Sequence, residues 1–287
     1  MPTLWFRNRW AFTPGLAKPI LIQSGPQMVE VHEPGLGSLA LTLFDAPKML
    51  FTENETNSER HWGFRTGDGF YKDAFHRYLI QGDKAAVNPH LTGTKACGLY
   101  ELNIAAGAAG EIRLRLTDSV LPVDFEDVFA RRIAEADQFY SFCPADLSPD
   151  GRNVQRQAFA GMLWSKQFYN YIVEDWLHGD PGQPPPPAGR LRGRNKEWIH
   201  LFNEDIISMP DKWEYPWYAA WDLAFHMIPF AQIDPEFAKH QLQLFLREWY
   251  MHPNGQLPAY EWAFDDVNPP VHAWACWRVF KIDRKLQ

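Results

Sequence analysis

The first half of the chain alternates between apolar and other positions with a period of two. Leucines alternate with small or polar residues at 39–43, and two similar runs flank the small-residue turn AAGAAG within 99–116. This period is typical of strands that bury one face. Residues 99–116 are therefore predicted to form a hairpin. Several short strands at this spacing indicate an antiparallel β-sandwich-like domain over residues 1–145.

From residue 146 the apolar period becomes helical, and a stretch rich in Pro and Gly at 179–195 is predicted to be an extended loop. The sequence thus predicts an α+β multidomain chain, with a helical domain over 146–287. A linking helix is expected to close the first domain. The predicted helices lie at 126–142, 155–177, 217–230, 236–250 and 270–281.

Composition and charge argue against several classes of protein, including nucleic-acid-binding and membrane proteins. The chain is 46% hydrophobic and 22% charged, which is typical of globular proteins. Its net charge of -7, without basic runs, argues against a nucleic-acid partner. No apolar run reaches the roughly 20 residues of a membrane helix, and no signal-peptide pattern opens the chain. Cys97, Cys143 and Cys276 lie far apart, so reduced thiols, no metal knuckle and a cytoplasmic location are expected.

Tryptophan is concentrated in the second half. Eight of the 13 Trp residues lie from Trp198 onward. One interpretation is that these large rings fill a helical core. The other is that some stack on the C–H face of a sugar while their N–H groups bind hydroxyls. Both interpretations remain open from the sequence.

The strongest candidate for chemistry lies in the segment DKWEYPWYAAWDLAFH. If Asp222 is held among Trp217, Trp221 and Phe225, partial desolvation would raise the pKa of its carboxyl group and suit it to donate a proton. The alternative is a structural Asp that is hydrogen-bonded near a helix start.

Helical spacing extends this candidate site. Tyr218, Asp222 and His226 follow one another at intervals of four and share a helix face if the helix begins near Pro216. Glu214, just upstream, is expected either to cap the helix or to bind sugar hydroxyls.

A second candidate is the loop HPNGQLPAYEWAFDDVNPPVHAW, which begins with an Asn-Gly turn. Its amide and carboxylate groups are of the kind that bind sugar hydroxyls. The alternative is a solvated loop with a few capping residues. The polar candidates in this loop are Asn254, Gln256, Glu261, Asp265 and Asn268.

These two segments resemble a known family. WEYPWYAAWDLAFH resembles the acid motif of the family 63 glycoside hydrolases, which include processing α-glucosidases and mannosylglycerate hydrolases. PNGQLPAYEW and the following NPP resemble a loop of the related trehalases. The resemblance extends over the whole chain, to bacterial glucosidases of this group. It implies a β-sandwich-type domain followed by an (α/α)6 toroid, and hydrolysis of an α-linked glucoside or oligosaccharide with inversion. No metal or cofactor is expected, because the sequence contains no HExxH, GxGxxG or GxxxxGK motif.

The resemblance also assigns roles to individual residues. Asp222 matches the general acid of the family. The matching substrate-binding positions are Glu214, Trp217, Tyr218, Trp221, His226, Asn254, Gln256, Glu261 and Trp262.

The general base of the family has no match in this sequence. An inverting glycosidase needs two carboxyl groups about 6.5–9.5 Å apart. A twelve-helix toroid needs roughly 250 residues, whereas 146–287 holds only 142. The chain is therefore expected to be part of a longer enzyme whose base lies elsewhere, and Glu261 or Asp265 is a less favoured substitute. The alternative function is a non-catalytic carbohydrate-binding or interaction fragment.

Overall fold

The structure is a computed structural model that describes residues 1–11, 13, 15–45, 48–118, 124–142, 146–179, 181, 184–209, 217, 219–247, 250–260 and 262–286. The chain divides into two compact units. One comprises Met1–Val123 with Asp180–Pro185, and the other Asp124–Gly179 with Pro186–Gln287. The sequence placed this division near residue 145.

The difference concerns the helix that follows the first unit, α3 (Phe125–Phe139). It groups with the second unit because its end is tied to the next helix. Arg156 Nη1 lies 2.5 Å from Asp137 Oδ1, and the rings of Phe142 and Phe159 are 5.7 Å apart. The predicted linking helix is therefore present but belongs, by its contacts, to the helical unit.

The first unit contains two antiparallel sheets, as the sequence predicted. The five-stranded sheet has the order β6-β2-β3-β4-β8 and the three-stranded sheet the order β1-β7-β5. Two short helices, α1 (Ser58–Trp62) and α2 (Ala74–Ile80), follow β5. The strands are β1 (Thr3–Trp5), β2 (Ile20–Gly25), β3 (Met28–Glu33), β4 (Gly37–Leu43), β5 (Lys48–Thr52), β6 (Thr92–Gly93), β7 (Lys95–Leu99) and β8 (Leu114–Thr117).

Both sheets contribute to one core. Leu21 and Val31 from the larger sheet are buried with Phe51 and Ala96 from the smaller one. The alternation at 39–43 is confirmed, because Leu41 and Leu43 of β4 point into this core. Burial of one face of each sheet is the arrangement that period-two patterning specifies.

The predicted hairpin at 99–116 is wrong. β7 pairs with β1 and β5, whereas β8 pairs with β4 in the other sheet. Between them the chain forms no strand, and Leu102 and Ile104 are 54% and 51% exposed. The apolar alternation there buries no face, so it carries no information about pairing.

The second unit begins with helices and a hairpin. α4 (Pro149–Trp164) is followed by β9 (Lys166–Ile172), α5 (Val173–His178) and β10 (Phe202–Ser208), and the two strands pair antiparallel. The continuous helix predicted at 155–177 is therefore wrong. Ser165 Oγ turns back to the Met162 carbonyl, 2.6 Å away, where the helix ends. The following KQFYNYI is rich in aromatic residues, which favour a strand once a partner is present.

Three further helices confirm the predictions for 217–230, 236–250 and 270–281, with shifted ends. They are α6 (Ala220–Phe230), α7 (Pro235–Leu244) and α8 (Val271–Leu286). Leu223, Met227 and Phe230 of α6 form a buried stripe at helical spacing, packed in one core with residues of α7 and α8. Among the described residues, no helix is long and apolar enough to span a membrane.

Candidate active site

Asp222 lies in the first turn of α6, partly buried. Asp222 is not one of the residues with which this helix packs in the core, and its side chain is only partly covered. The group is thus held on a rigid element while remaining partly accessible.

Aromatic side chains predicted for the site meet across a long sequence separation. Trp217 is buried and contacts Trp262, with ring centroids 4.5 Å apart. Trp262 also contacts Tyr171 of β9 at 4.8 Å. Trp262 adopts φ 58°, which is unusual for a residue other than glycine and indicates a backbone held by its surroundings. The structure therefore joins the two candidate segments through one pair of indoles.

Sequence reasoning missed the residue at the centre of this aromatic cluster. Trp198 is fully buried, with its ring centroid 6.0 Å from that of Trp262 and 5.4 Å from that of His252. Its indole N–H has no hydrogen-bond partner in the described part of the chain. The excess of tryptophan was the available signal. Trp198 and Trp217 are buried, so at least these two tryptophans fill the core, which was one of the two interpretations of the tryptophan excess.

His226 lies one turn beyond Asp222 and connects α6 to the hairpin. Its Nδ1 is 3.4 Å from Ser208 Oγ at the end of β10, which in turn is 3.1 Å from Ser165 Oγ. Burial lowers the pKa of His226, and the charge of Asp222 opposes this shift. The neutral imidazole is therefore favoured.

A buried amide ties the same strand to α7. Gln241 Oε1 accepts a hydrogen bond from the Ser208 backbone N–H at 3.2 Å, and Gln241 Nε2 donates to the Ile206 carbonyl at 2.9 Å. Gln241 is fully buried. β10, α6 and α7 are thus joined by side chains directly before the segment that leads to Asp222.

A carboxylate that the sequence did not single out lies on β10. The Tyr250 hydroxyl donates to Asp205 Oδ2 at 2.8 Å. Burial, followed by the interaction with Asp205, raises the pKa of Tyr250. The phenol therefore remains protonated and holds this carboxylate in place.

The second candidate segment forms the predicted turn. Gly255 has φ 84°, and its N–H donates to the His252 carbonyl at 2.8 Å. Asn254 Nδ2 donates to Gln256 Oε1 at 2.6 Å, so these two predicted sugar ligands contact each other. Farther along, Asn268 Nδ2 donates to the Leu257 carbonyl at 2.7 Å and closes the loop.

A small cavity lies between this loop and the start of α6. Its volume is about 200 Å³. The lining is mostly apolar, and Asn268 Oδ1, one of its few polar atoms, is without a hydrogen-bond partner among the described residues. The lining residues are Ala220, Trp221, Phe245, Leu246, Leu257, Asn268, Pro269 and His272.

Three predicted site residues, Glu214, Tyr218 and Glu261, lie outside the described residues. Their roles stay predictions. Asp265 is exposed in the loop. No cluster of three or more His, Cys, Asp or Glu side chains suited to hold a metal ion occurs within the described part of the chain.

Residues 215–287 match a glycoside hydrolase domain. The family model is that of the mannosylglycerate hydrolase MGH1-like glycoside hydrolase domain. The matched range contains Asp222, all of α6, α7 and α8, and the loop around the Asn-Gly turn.

The chain is also similar to a yeast protein. It is 47% identical, over an alignment 327 positions long, to the uncharacterized protein YMR196W of Saccharomyces cerevisiae. The alignment covers 99% of this chain and 30% of the yeast protein, so the chain spans less than a third of that relative's length.

Proposed function

We propose that this chain carries the proton-donor part of an inverting glycosidase site that acts on an α-linked glucoside or a related oligosaccharide. The observation that carries the proposal is the placement of Asp222. It lies within the range that matches a glycoside hydrolase domain, partly accessible in the first turn of α6. Asp222 itself does not line the small cavity.

In this proposal Asp222 protonates the glycosidic oxygen as the bond to the anomeric carbon breaks. A second carboxylate, about 6.5–9.5 Å away, removes a proton from the attacking water on the opposite face of the sugar. No segment of this sequence resembles the base segment of the family 63 enzymes. We therefore assign the base to a part of a longer protein, in which α6, α7 and α8 belong to an (α/α)6 toroid.

Exposed aromatic side chains on α8 support this assignment. Trp274 and Trp277 are 47% and 54% exposed, and the Phe225 ring of α6 is 5.8 Å from that of Trp274. In a larger helical domain, further helices would pack on an exposed aromatic face of this kind. It is also the observation that favours the alternative, a non-catalytic carbohydrate-binding surface.

Hydrolysis assays on the 287-residue chain test the proposal. A panel of α-linked glucosyl disaccharides is incubated with the chain, with Asp222→Asn and with the matched control Asp266→Asn at an exposed loop position. The product anomer is read by NMR. We expect no turnover from the folded chain alone, because the base lies elsewhere. Inverting hydrolysis that Asp222→Asn abolishes would keep the acid assignment and contradict the location of the base. Hydrolysis that persists in Asp222→Asn would contradict the acid assignment.

Binding measurements distinguish the alternative, a non-catalytic carbohydrate-binding surface, from the proposed enzyme. A non-catalytic module binds the same sugars in a saturable way, with loss of affinity when Trp274 and Trp277 are both replaced by Ala and none in Asp222→Asn.

A further inference from the structure

The first unit contains a cavity that the proposed hydrolysis does not use. It is open, with a volume of about 880 Å³, and lies beside β5, α2 and the segment after β7. The lining residues are Asp45, Lys48, Tyr78, Leu79, Lys84, Leu99, Tyr100, Glu101, Leu102, Glu111 and Ile112.

Tyr78 brings two lysines together in this cavity. It is buried in α2, where it packs in one cluster with Leu50 and Cys97 of the smaller sheet. Lys48 Nζ donates to the Tyr78 hydroxyl at 2.6 Å. Lys84 Nζ lies 3.7 Å from the centroid of the Tyr78 ring and donates to the Tyr78 carbonyl at 3.3 Å. Two ammonium groups are thus held on one phenol.

Neither lysine forms an ion pair with a carboxylate in the part of the chain that the structure describes. Three acids also line the cavity, and all three are exposed. Glu111 forms an ion pair with Arg113, while Asp45 and Glu101 remain near the solvent. Lys48 and Lys84 are exposed as well, so water and salt screen all of these charges alike. The two ammonium groups differ from the acids in that both are held against one buried tyrosine.

The two lysines lower the pKa of the Tyr78 hydroxyl. The hydrogen bond from Lys48 lowers the pKa of Tyr78, and the charges of Lys48 and Lys84 add to this effect against the opposing contribution of burial. At the other side of the cavity, burial and then the charge of Asp45 raise the pKa of Tyr100. The influence of the two lysines is therefore local to Tyr78.

Apolar side chains extend from this positive region. Leu79 and Leu102 are 44% and 54% exposed and line the cavity together with Leu99 and Ile112. Exposed leucines beside these two ammonium groups form an amphipathic surface. A ligand that matches it has an anionic head and an apolar body.

We infer that this cavity binds a small organic anion. Its carboxylate or phosphate head lies against Lys48 and Lys84, and its apolar body lies along Leu79 and Leu102. All of its lining residues belong to the first unit, and none of them has a role in the proposed glycosidase reaction.

Calorimetric titration of the 287-residue chain with three probes tests this inference. Phenyl phosphate and benzoate carry the two candidate heads, and benzyl alcohol is the neutral probe. We expect at least one anion to bind with a Kd below about 10 mM at low salt. Benzyl alcohol should bind at least about tenfold more weakly, and anion affinity should fall as ionic strength rises. Whichever anion binds more tightly identifies the head.

The matched variants are the double variant Lys48→Gln with Lys84→Gln, and Lys285→Gln as a control with an exposed lysine on α8. We expect the double variant to lose about tenfold or more in anion affinity, and the control to bind like the wild type. Thermal melts confirm that each variant is folded. The inference would be overturned if the wild type bound no anion in a saturable way or bound benzyl alcohol equally well. It would also be overturned if the double variant kept its anion affinity, or if the control lost as much affinity as the double variant.

Discussion

Asp222 and His226 lie one turn apart on α6 but have different environments. Asp222 is at the accessible edge of the first turn, whereas His226 points toward Ser208 at the end of β10. Their spacing of four was evident in the sequence. The contact of His226 with Ser208 was not, because it depends on a strand that the sequence pattern did not reveal.

The lowered pKa of His226 predicts a pH dependence of stability. A histidine whose pKa is lower in the folded state binds fewer protons there than in the unfolded chain, so stability falls as pH decreases below the unfolded value of about 6.5. His226→Gln should remove this component, and the exposed His240→Gln should retain it. Urea unfolding at several pH values between 5 and 8 measures the difference. An identical acid destabilisation in wild type and His226→Gln would contradict the assignment.

β10 illustrates what sequence patterns miss at the level of elements. Period-two runs identified β4 because its leucines face one core. The same pattern failed at 99–116, where the apolar side chains are exposed and the flanking strands join different sheets. β9 resembled the continuation of a helix because only its pairing with β10, some 35 residues away, selects the strand.

Gln241 should be important for the hairpin, because its amide is the partner of two backbone groups of β10. Gln241→Leu leaves a buried N–H and a partly buried carbonyl without these partners and should lower the free energy of unfolding by about 2–4 kcal/mol. Gln243→Leu, on the exposed side of the same helix, is the matched control and should change it little. Chemical unfolding measures both. Equal effects of the two substitutions would show that the hydrogen bonds of Gln241 do not hold β10.

Over the chain as a whole, the sequence correctly predicted an N-terminal part rich in antiparallel sheet and a helical C-terminal part. The contact between Trp217 and Trp262 could not be predicted from the sequence. The two residues are 45 positions apart, and only the fold brings them together. The family-model match reaches only residues 215–287, the stretch in which the motifs themselves were most specific.

The aromatic face of α8 predicts self-association of the 287-residue chain. Trp274 and Trp277 are half-exposed, and burial of such rings between two copies is favourable. Replacing both with Glu should shift sedimentation toward the monomer. Val267→Glu, at an exposed apolar position in the preceding loop, is the control. Association that is unchanged by the double substitution would place the contact elsewhere.

The role of Asp222 is tested most directly by leaving-group dependence in a chimera in which residues 1–287 replace the aligned segment of the yeast relative. A general acid matters most for a sugar leaving group and least for fluoride, which departs with little help from a proton. Asp222→Asn should therefore lower turnover of an α-linked glucosyl disaccharide by about 10²–10⁴-fold, and turnover of α-glucosyl fluoride far less. Equal losses on both substrates, or near-normal hydrolysis of the disaccharide, would contradict the assignment of Asp222 as the proton donor.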